Sequence, residues 1–385
     1  MAMGAPRKLP VLVGLLGPGL IGKALLTQLS EQAATLHSDF GVELQVYGIA
    51  SSKRMVVSKD ALEPQDWQQW DSLPQATAAD LQAFGSSFVA RDGWPSQQNA
   101  VRVIFDCTAS GGPPSHYSRW MSEGIHVITP NKKLGSGPLV DYRAVRQVQH
   151  TSPVHFLYEA TVGAGLPILS TLKGLVETGD RVQRIEGIFS GTLSFIFNNF
   201  GAGQPFSQVV KEAKAGGYTE PDPRDDLSGM DVGRKVTILA RECGLDVELS
   251  DVDISSLVPE PLQSVSSADE FLERLPQYDG EMASRVEQAE ASGQVLRYVG
   301  VIDVVKRRCS VGLQAYPKSH AFAQLSGTDN VVSFTTQRYS KQALIVRGPG
   351  AGADVTAAGV FTDLMQLLRY CGAPSASASS ACDGA

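Results

Sequence analysis

Over the first 150 residues, apolar residues come in short runs separated by stretches long enough for helices. Residues 11–16, 42–50, 101–107 and 126–129 each read as a strand, the last stopped by Pro130. The unbroken apolar character of the first run fits a strand buried on both faces. After the first run, Leu20, Ile21, Ala24, Leu25 and Leu29 recur at helical spacing. Strands alternating with helix-length connections predict right-handed crossovers and a mainly parallel, doubly wound α/β sheet. Residues 58–98, rich in Gln, Ser, Trp and Asp, are expected to form a helical or irregular insertion on that sheet.

The rhythm changes near residue 154. Strand-like runs at 154–158 and 185–189 bracket a helical pattern at 165–176, and a helix-rich stretch follows to about 292. Residues 295–305 and 310–315 again read as strands. Strands and helices in separate blocks predict an α+β second domain. After a short strand-like run at 344–346, glycine-rich residues 348–352 lead into a helical pattern ending near Leu368. The closing run SASASSACDGA reads as a disordered tail.

Composition narrows the function. At 385 residues the chain is long enough for two or three domains, and 43% hydrophobic residues suffice for a sizeable core. With 33 basic and 40 acidic residues the net charge is −7, which argues against nucleic acid as a partner. Five scattered cysteines without a Cys-x-x-Cys pair suit neither a disulfide framework nor a zinc site, and fit a reducing compartment. The apolar run after Arg7 and Lys8 is interrupted by Lys23 and lacks a cleavage signal. No apolar stretch reaches about 18 residues, so no membrane span is expected. The expectation is a soluble protein, cytoplasmic or organellar, acting on a small molecule.

The chemistry starts at Gly17-Pro18-Gly19-Leu20-Ile21-Gly22, between the first strand and the first helix. There glycines permit a tight turn and close approach of a pyrophosphate to a helix N-terminus. Gly17, Gly19, Leu20, Ile21 and Gly22 are therefore expected to bind a dinucleotide. Pro18 has no N–H to offer a phosphate. The second strand ends Ala50-Ser51-Ser52-Lys53-Arg54, without the carboxylate that usually holds an NAD ribose. Lys53 and Arg54 suit the 2′-phosphate of NADP, or form a solvated basic loop. Thr108 and Lys132 fall at the carboxyl edge of the sheet, where ligands of such folds bind. Further on, Asp231 and Lys235 lie four apart on one helix whose apolar stripe is Val232, Val236, Leu239, Ala240 and Cys243. Ser228 and Asp231 read as a capping box opening that helix. The pair is either a surface ion bridge or a lysine aimed into a cleft. No metalloprotease, nucleophile-elbow or P-loop motif occurs.

Three longer runs resemble homoserine dehydrogenase: Tyr158-Glu159-Ala160-Thr161-Val162-Gly163-Ala164-Gly165-Leu166-Pro167, Phe189-Ser190-Gly191-Thr192-Leu193-Ser194, and Gly217-Tyr218-Thr219-Glu220-Pro221-Asp222-Pro223. Residues 225–235 and Gly348-Pro349-Gly350-Ala351-Gly352 extend the likeness, which runs from the glycine motif to about residue 370. It is to the short monofunctional fungal type, with no room expected for a regulatory ACT domain or a fused aspartate kinase. The resemblance implies a Rossmann-type domain over residues 1–153, completed by 341–372. A substrate-binding and dimerisation domain would span 154–340, with 373–385 as the tail. It further implies reversible NAD(P)H-dependent reduction of L-aspartate 4-semialdehyde to L-homoserine by a homodimer, on the route to threonine, isoleucine and methionine.

Carried over by motif, Lys235 is the proton donor, and Glu220 and Asp231 hold the substrate's amino and hydroxyl ends. Asp226 counts with them among the substrate-binding residues. Lys132, with Lys133 as its alternative, assists at the carbonyl, and Thr108 and Gly350 line NADP or NAD. Glu159, with the carbonyls of Val162, Ala164 and Leu166, resembles the family's monovalent-cation site, for Na⁺ or K⁺. Two other readings stay open: another NADP-linked semialdehyde or hydroxy-acid dehydrogenase, and a non-catalytic NADP sensor. A sensor would be expected to lack one of Lys132, Glu220, Asp231 and Lys235, and all four are present.

Overall fold

The computed structural model describes residues 8–89 and 100–373. Residues 90–98 of the expected insertion, and all but Ala373 of the expected tail, lie outside them. The chain forms two compact units. The first comprises Met1–Leu134, Val140–Gly165 and Gly352–Ala385, and the second Gly135–Leu139 and Leu166–Ala351.

The first unit is built on strands β1 Leu9–Leu16, β2 Val42–Ala50, β3 Arg54–Leu62, β4 Thr77–Ala78, β5 Val101–Asp106, β6 His126–Ile128 and β7 Phe156–Leu157. Their order is β4-β3-β2-β1-β5-β6-β7. β2, β1, β5, β6 and β7 run parallel, so the chain winds one way from β1 to β2 and the other way from β1 to β5. Such a reversal leaves a crevice at the carboxyl ends of the strands. Helix Leu20–Glu31 buries Leu25, Leu26 and Leu29 against this sheet. Helix Ala353–Tyr370 packs beside it, adding Val360, Leu364, Leu367 and Leu368 to the same core.

Part of the expected insertion is sheet. After Ala50 the chain reverses through Ser51–Arg54 and pairs β3 antiparallel on β2, and β4 on β3. β3 reads Arg-Met-Val-Val-Ser-Lys-Asp-Ala-Leu, with exposed lysine and aspartate in its second half. Only part of it is buried, so its apolar signal is weak.

The second unit holds β8 Val182–Ile188, β9 Asp253–Ile254, β10 Gln294–Asp303, β11 Arg308–Pro317, β12 Asp329–Thr336 and β13 Leu344–Pro349. They form one sheet in the order β13-β12-β8-β10-β11-β9, antiparallel except where β9 joins β11. Helix Met230–Glu242 lies against β10 and β11. Its approach needs glycine on the strand, because a Cβ at Gly300 would sit 2.5 Å from Val236.

The capping box does not form. Residues Pro223–Leu227 are a short helix capped by the Asp222 side chain, and Ser228 closes it, donating its hydroxyl to the Asp225 carbonyl at 2.8 Å. Gly229, with φ +72°, then redirects the chain and is itself the N-cap of helix Met230–Glu242. A left-handed residue at that point suits glycine, and it leaves Asp231 in the first turn rather than folded back on Ser228.

The unit boundaries also move. β7 and the turn Glu159–Thr161 stay with the first unit because Leu157 and Ala160 join its core. β13 stays with the second because it pairs along β12 from Leu344 to Pro349. No helix among the described residues is long and apolar enough to cross a membrane.

Candidate functional site

In the first unit, the expected dinucleotide residues gather at the carboxyl edge of the sheet. Gly17 has φ +81°, and a Cβ there would lie 2.8 Å from the Thr108 methyl and 2.9 Å from its N. A Cβ at Gly22 would lie 2.3 Å from the Gly17 carbonyl oxygen, whereas one at Gly19 meets nothing within 4 Å. The first and third glycines thus serve close packing, and the middle one keeps an open face. Leu20 is 83% exposed at the helix N-terminus, which has no side-chain cap and no acidic residue in its first turn. Uncapped N–H groups beside an open glycine form an anion site.

Next to it, Ser51 organises the β2–β3 turn, its Oγ accepting from the N–H groups of Lys53 at 3.2 Å and Arg54 at 3.1 Å. Lys53 is exposed, and the Arg54 guanidinium donates to the Ala76 carbonyl at 3.3 Å. Lys132 is half-buried and Lys133 exposed, which favours Lys132 as the residue turned toward the fold.

Sequence reasoning overlooked the residue at the centre of this edge. Asp106, the last of β5, is 0% exposed. Its carboxylate accepts from the Thr108 N–H at 2.9 Å, from Asn131 Nδ2 at 2.9 Å and from the Tyr117 hydroxyl. Burial pushes its carboxyl above the ordinary range, and those three donors pull it back. An acid closing a strand whose preceding residues Val103-Ile104-Phe105 are apolar was the available signal.

The second unit gathers the expected substrate residues. Lys235 is buried on helix Met230–Glu242; its Nζ donates to the Phe189 carbonyl at 2.6 Å and pairs with Asp231 at 2.8 Å. The lysine side chain is 9% exposed and the aspartate's 49%, so the pair is a buried ammonium held by a carboxylate open to solvent. It is therefore not the surface bridge that the spacing alone also allowed. Asp226 accepts from the Thr192 hydroxyl at 2.9 Å and from the Glu220 N–H at 2.8 Å. Burial raises its carboxyl above the usual range, and the charges of Glu220 and Asp231 push the same way. Three carboxylates close enough to sense one another suit a ligand carrying a cation. Thr192, whose hydroxyl also reaches the Tyr218 carbonyl at 2.6 Å, is the member that residue-type reasoning missed. Gly350 lies in this unit, where a Cβ would fall 1.9 Å from Asn330 Nδ2.

Glu159 is buried in the first unit, and its N–H donates to Asp363 at 2.8 Å. Val162 and Ala164 follow in the same unit, with positive φ at Gly163 (+79°) and Ala164 (+54°), while Leu166 belongs to the second. Among the described residues no group of three or more His, Cys, Asp or Glu is placed to hold a metal ion.

Comparison with known proteins gives this geometry a family. Residues 17–159 match the model of the homoserine dehydrogenase NAD-binding domain, and residues 167–365 that of homoserine dehydrogenase. A chloroplast bifunctional aspartokinase/homoserine dehydrogenase of Zea mays is 55% identical over 96% of this chain, which spans 39% of that relative. The chain thus covers about two fifths of the length of such plant relatives. The homoserine dehydrogenase of Schizosaccharomyces pombe is 44% identical, with 94% of this chain matched to 98% of its own. In structure, a Candida auris protein of unknown function superposes with a TM-score of 0.85 at 39% identity, over 94% of this chain and 98% of its own. The fungal likeness is nearly end to end and the plant likeness is higher in identity, and on both counts the chain belongs to the homoserine dehydrogenase family.

Proposed function

We propose that the chain reduces L-aspartate 4-semialdehyde to L-homoserine with NADPH, reversibly and as a homodimer. The observation that carries this reading is the buried Lys235 ammonium, anchored by Asp231 on the unit that also presents Glu220 and Asp226. The substrate carries an ammonium and an aldehyde, and the unit offers carboxylates for the first and a proton donor for the second. A bound NADPH, its pyrophosphate at the glycine turn of the first unit, would supply the hydride. Its arrival at the aldehyde carbon leaves an alkoxide, and Lys235 gives that oxygen a proton and recovers one from water. Asp231 holds the ammonium and the substrate hydroxyl, Glu220 and Asp226 the amino end, and Lys132 the carbonyl oxygen. Lys53 and Arg54 favour NADP over NAD by charge-assisted bonds to its 2′-phosphate. Glu159, with the carbonyls of Val162 and Ala164, holds a monovalent cation that orders this part of the first unit and takes no part in the chemistry.

The test is NADPH oxidation with aspartate semialdehyde beside a panel of other aldehydes. Turnover confined to aspartate semialdehyde supports the reading. Equal turnover of another hydroxy-acid precursor would assign a different dehydrogenase, and NADPH binding without any turnover would assign a sensor.

A further inference from the structure

We propose that Asp106 is a positioning residue, whose buried carboxylate sets the ends of β5 and β6 so that Thr108 and Lys132 meet the dinucleotide. The inference rests on the dehydrogenase reading above and adds to it a residue that does not touch the reacting atoms.

A carboxylate wholly withdrawn from water is costly unless it is paired or saturated with donors. Asp106 has no ion pair among the described residues, and its side-chain partners are neutral: the Thr108 N–H, the Asn131 amide and the Tyr117 hydroxyl. These donors come from three segments. Thr108 follows β5, Asn131 follows β6, and Tyr117 opens helix Tyr117–Ser122 between them. The main chain of Asp106 joins in, its carbonyl accepting from the Thr129 hydroxyl at 2.6 Å, and Thr129 Oγ1 accepts in turn from the Asn131 N–H at 2.9 Å.

Asn131 passes the constraint on. Its Oδ1 accepts from the Lys133 N–H at 3.0 Å, fixing the start of helix Lys132–Gly135, and its Nδ2 also reaches the Ser110 carbonyl at 2.8 Å. On the other side, Thr108 packs on the glycine turn so closely that Gly17 has no room for a Cβ. One carboxylate therefore ties the segment of Thr108 to the one that leads into Lys132, and Thr108 in turn packs on Gly17. A neutral apolar residue would fill the space at lower cost, but it would leave the Thr108 N–H and the Asn131 amide without their acceptor.

The discriminating variant is Asp106→Asn, which keeps the shape but turns one acceptor oxygen into a donor facing donors. NADPH affinity by fluorescence, kcat, the KM for aspartate semialdehyde and the unfolding midpoint are compared with wild type. Misplacing reacting groups by about 1 Å costs about 10²-fold in rate. NADPH binding and kcat should each fall about tenfold or more, while the aldehyde KM moves by less than about threefold, because of the substrate's proposed contacts only Lys132 lies in the first unit. Adding Asn131→Ala should cost clearly less than the sum of the two single variants, since both break the Asp106–Asn131 link. Tyr117→Phe, which leaves the carboxylate and two of its donors, should cost less than about threefold. If Asp106→Asn does not accumulate folded, Asn131→Ala carries the same readouts and the same expectation. A variant with a lowered unfolding midpoint but wild-type NADPH affinity and kcat would overturn the proposal, reducing Asp106 to a structural acid. Wild-type protein that binds no NADPH would instead sink the dehydrogenase reading, and this inference with it.

Discussion

Two buried polar sites, one in each unit, use carboxylates in opposite ways. At the edge of the first sheet, Asp106 is sealed from water and surrounded by neutral donors. In the second unit it is the cation that is buried, and Asp231, its partner carboxylate, faces solvent. Burial raises the carboxyls of both Asp106 and Asp226, but only Asp226 also senses neighbouring charges. The first site spends its charge internally, on geometry. The second presents charge to whatever enters. A ligand recognised by backbone amides needs well-placed strands, whereas one that changes charge during reaction needs ionised groups within reach.

The comparison breaks most readily at Lys235. Lys235→Ala should cut turnover by about 10²-fold or more, the range of a positioned general acid, with NADPH affinity close to wild type. Lys235→Arg should fail too, because a guanidinium does not release its proton in this range. A steady-state assay paired with NADPH titration reads both, and Lys235→Ala keeping more than about a tenth of wild-type turnover would return the lysine to a structural role.

Acid probes the first unit at His126. His126 is buried on β6, with its Nδ1 accepting from the His155 N–H at 3.0 Å. Burial, helped by His155 and Arg102, pushes its imidazole down to about 4. Because the folded value lies below the unfolded one, this contribution is whole above about pH 6.5 and drains away as pH falls toward 4. About 3 kcal/mol is at stake. Asp106, pushed up, works in the opposite sense. Denaturant melts of His126→Asn, which keeps an acceptor in place of Nδ1, should therefore lose less stability than wild type between pH 6.5 and 4. Parallel profiles for the two proteins would exclude the imidazole as the cause.

Gly22→Ala is the mirror of the lysine variant. Its Cβ would press on the Gly17 carbonyl, so the turn must open, at a cost of about 1–3 kcal/mol in stability. NADPH affinity should fall while the aldehyde KM stays put. Unchanged NADPH affinity would show that the glycine turn does not hold the dinucleotide. The smallest expected effect is at Arg54, where alanine should weaken NADP by about tenfold and leave NAD nearly unchanged. Equal losses for both cofactors would show that the turn does not read the 2′-phosphate.

How much of this was legible depended on how many faces an element buries. β1, β2, β5 and β6 announced themselves as apolar runs, and the pattern near residues 353–368 did so by its period. β3 and β12 went unread, since β3 is partly exposed and β12 mixes polar Asp329, Asn330, Ser333 and threonines into its run. Residue type and spacing found Lys235 with Asp231, four apart on one helix. They could not find Asp106 with Asn131, 25 positions apart and joined only by the parallel pairing of β5 and β6. Gly229 defeated the capping box because its backbone angle, unlike its identity, is invisible in sequence.

The helix Ala353–Tyr370 has a consequence for the order in which the protein is made. It supplies Val360, Leu364, Leu367 and Leu368 to a core otherwise built from the first 160 residues or so. A ribosome working from the N-terminus must therefore deliver the entire second unit before the first can close. The unit translated first is the last to be finished, and during that interval its unfilled apolar stripe is open to chaperones or to misassociation with other nascent chains.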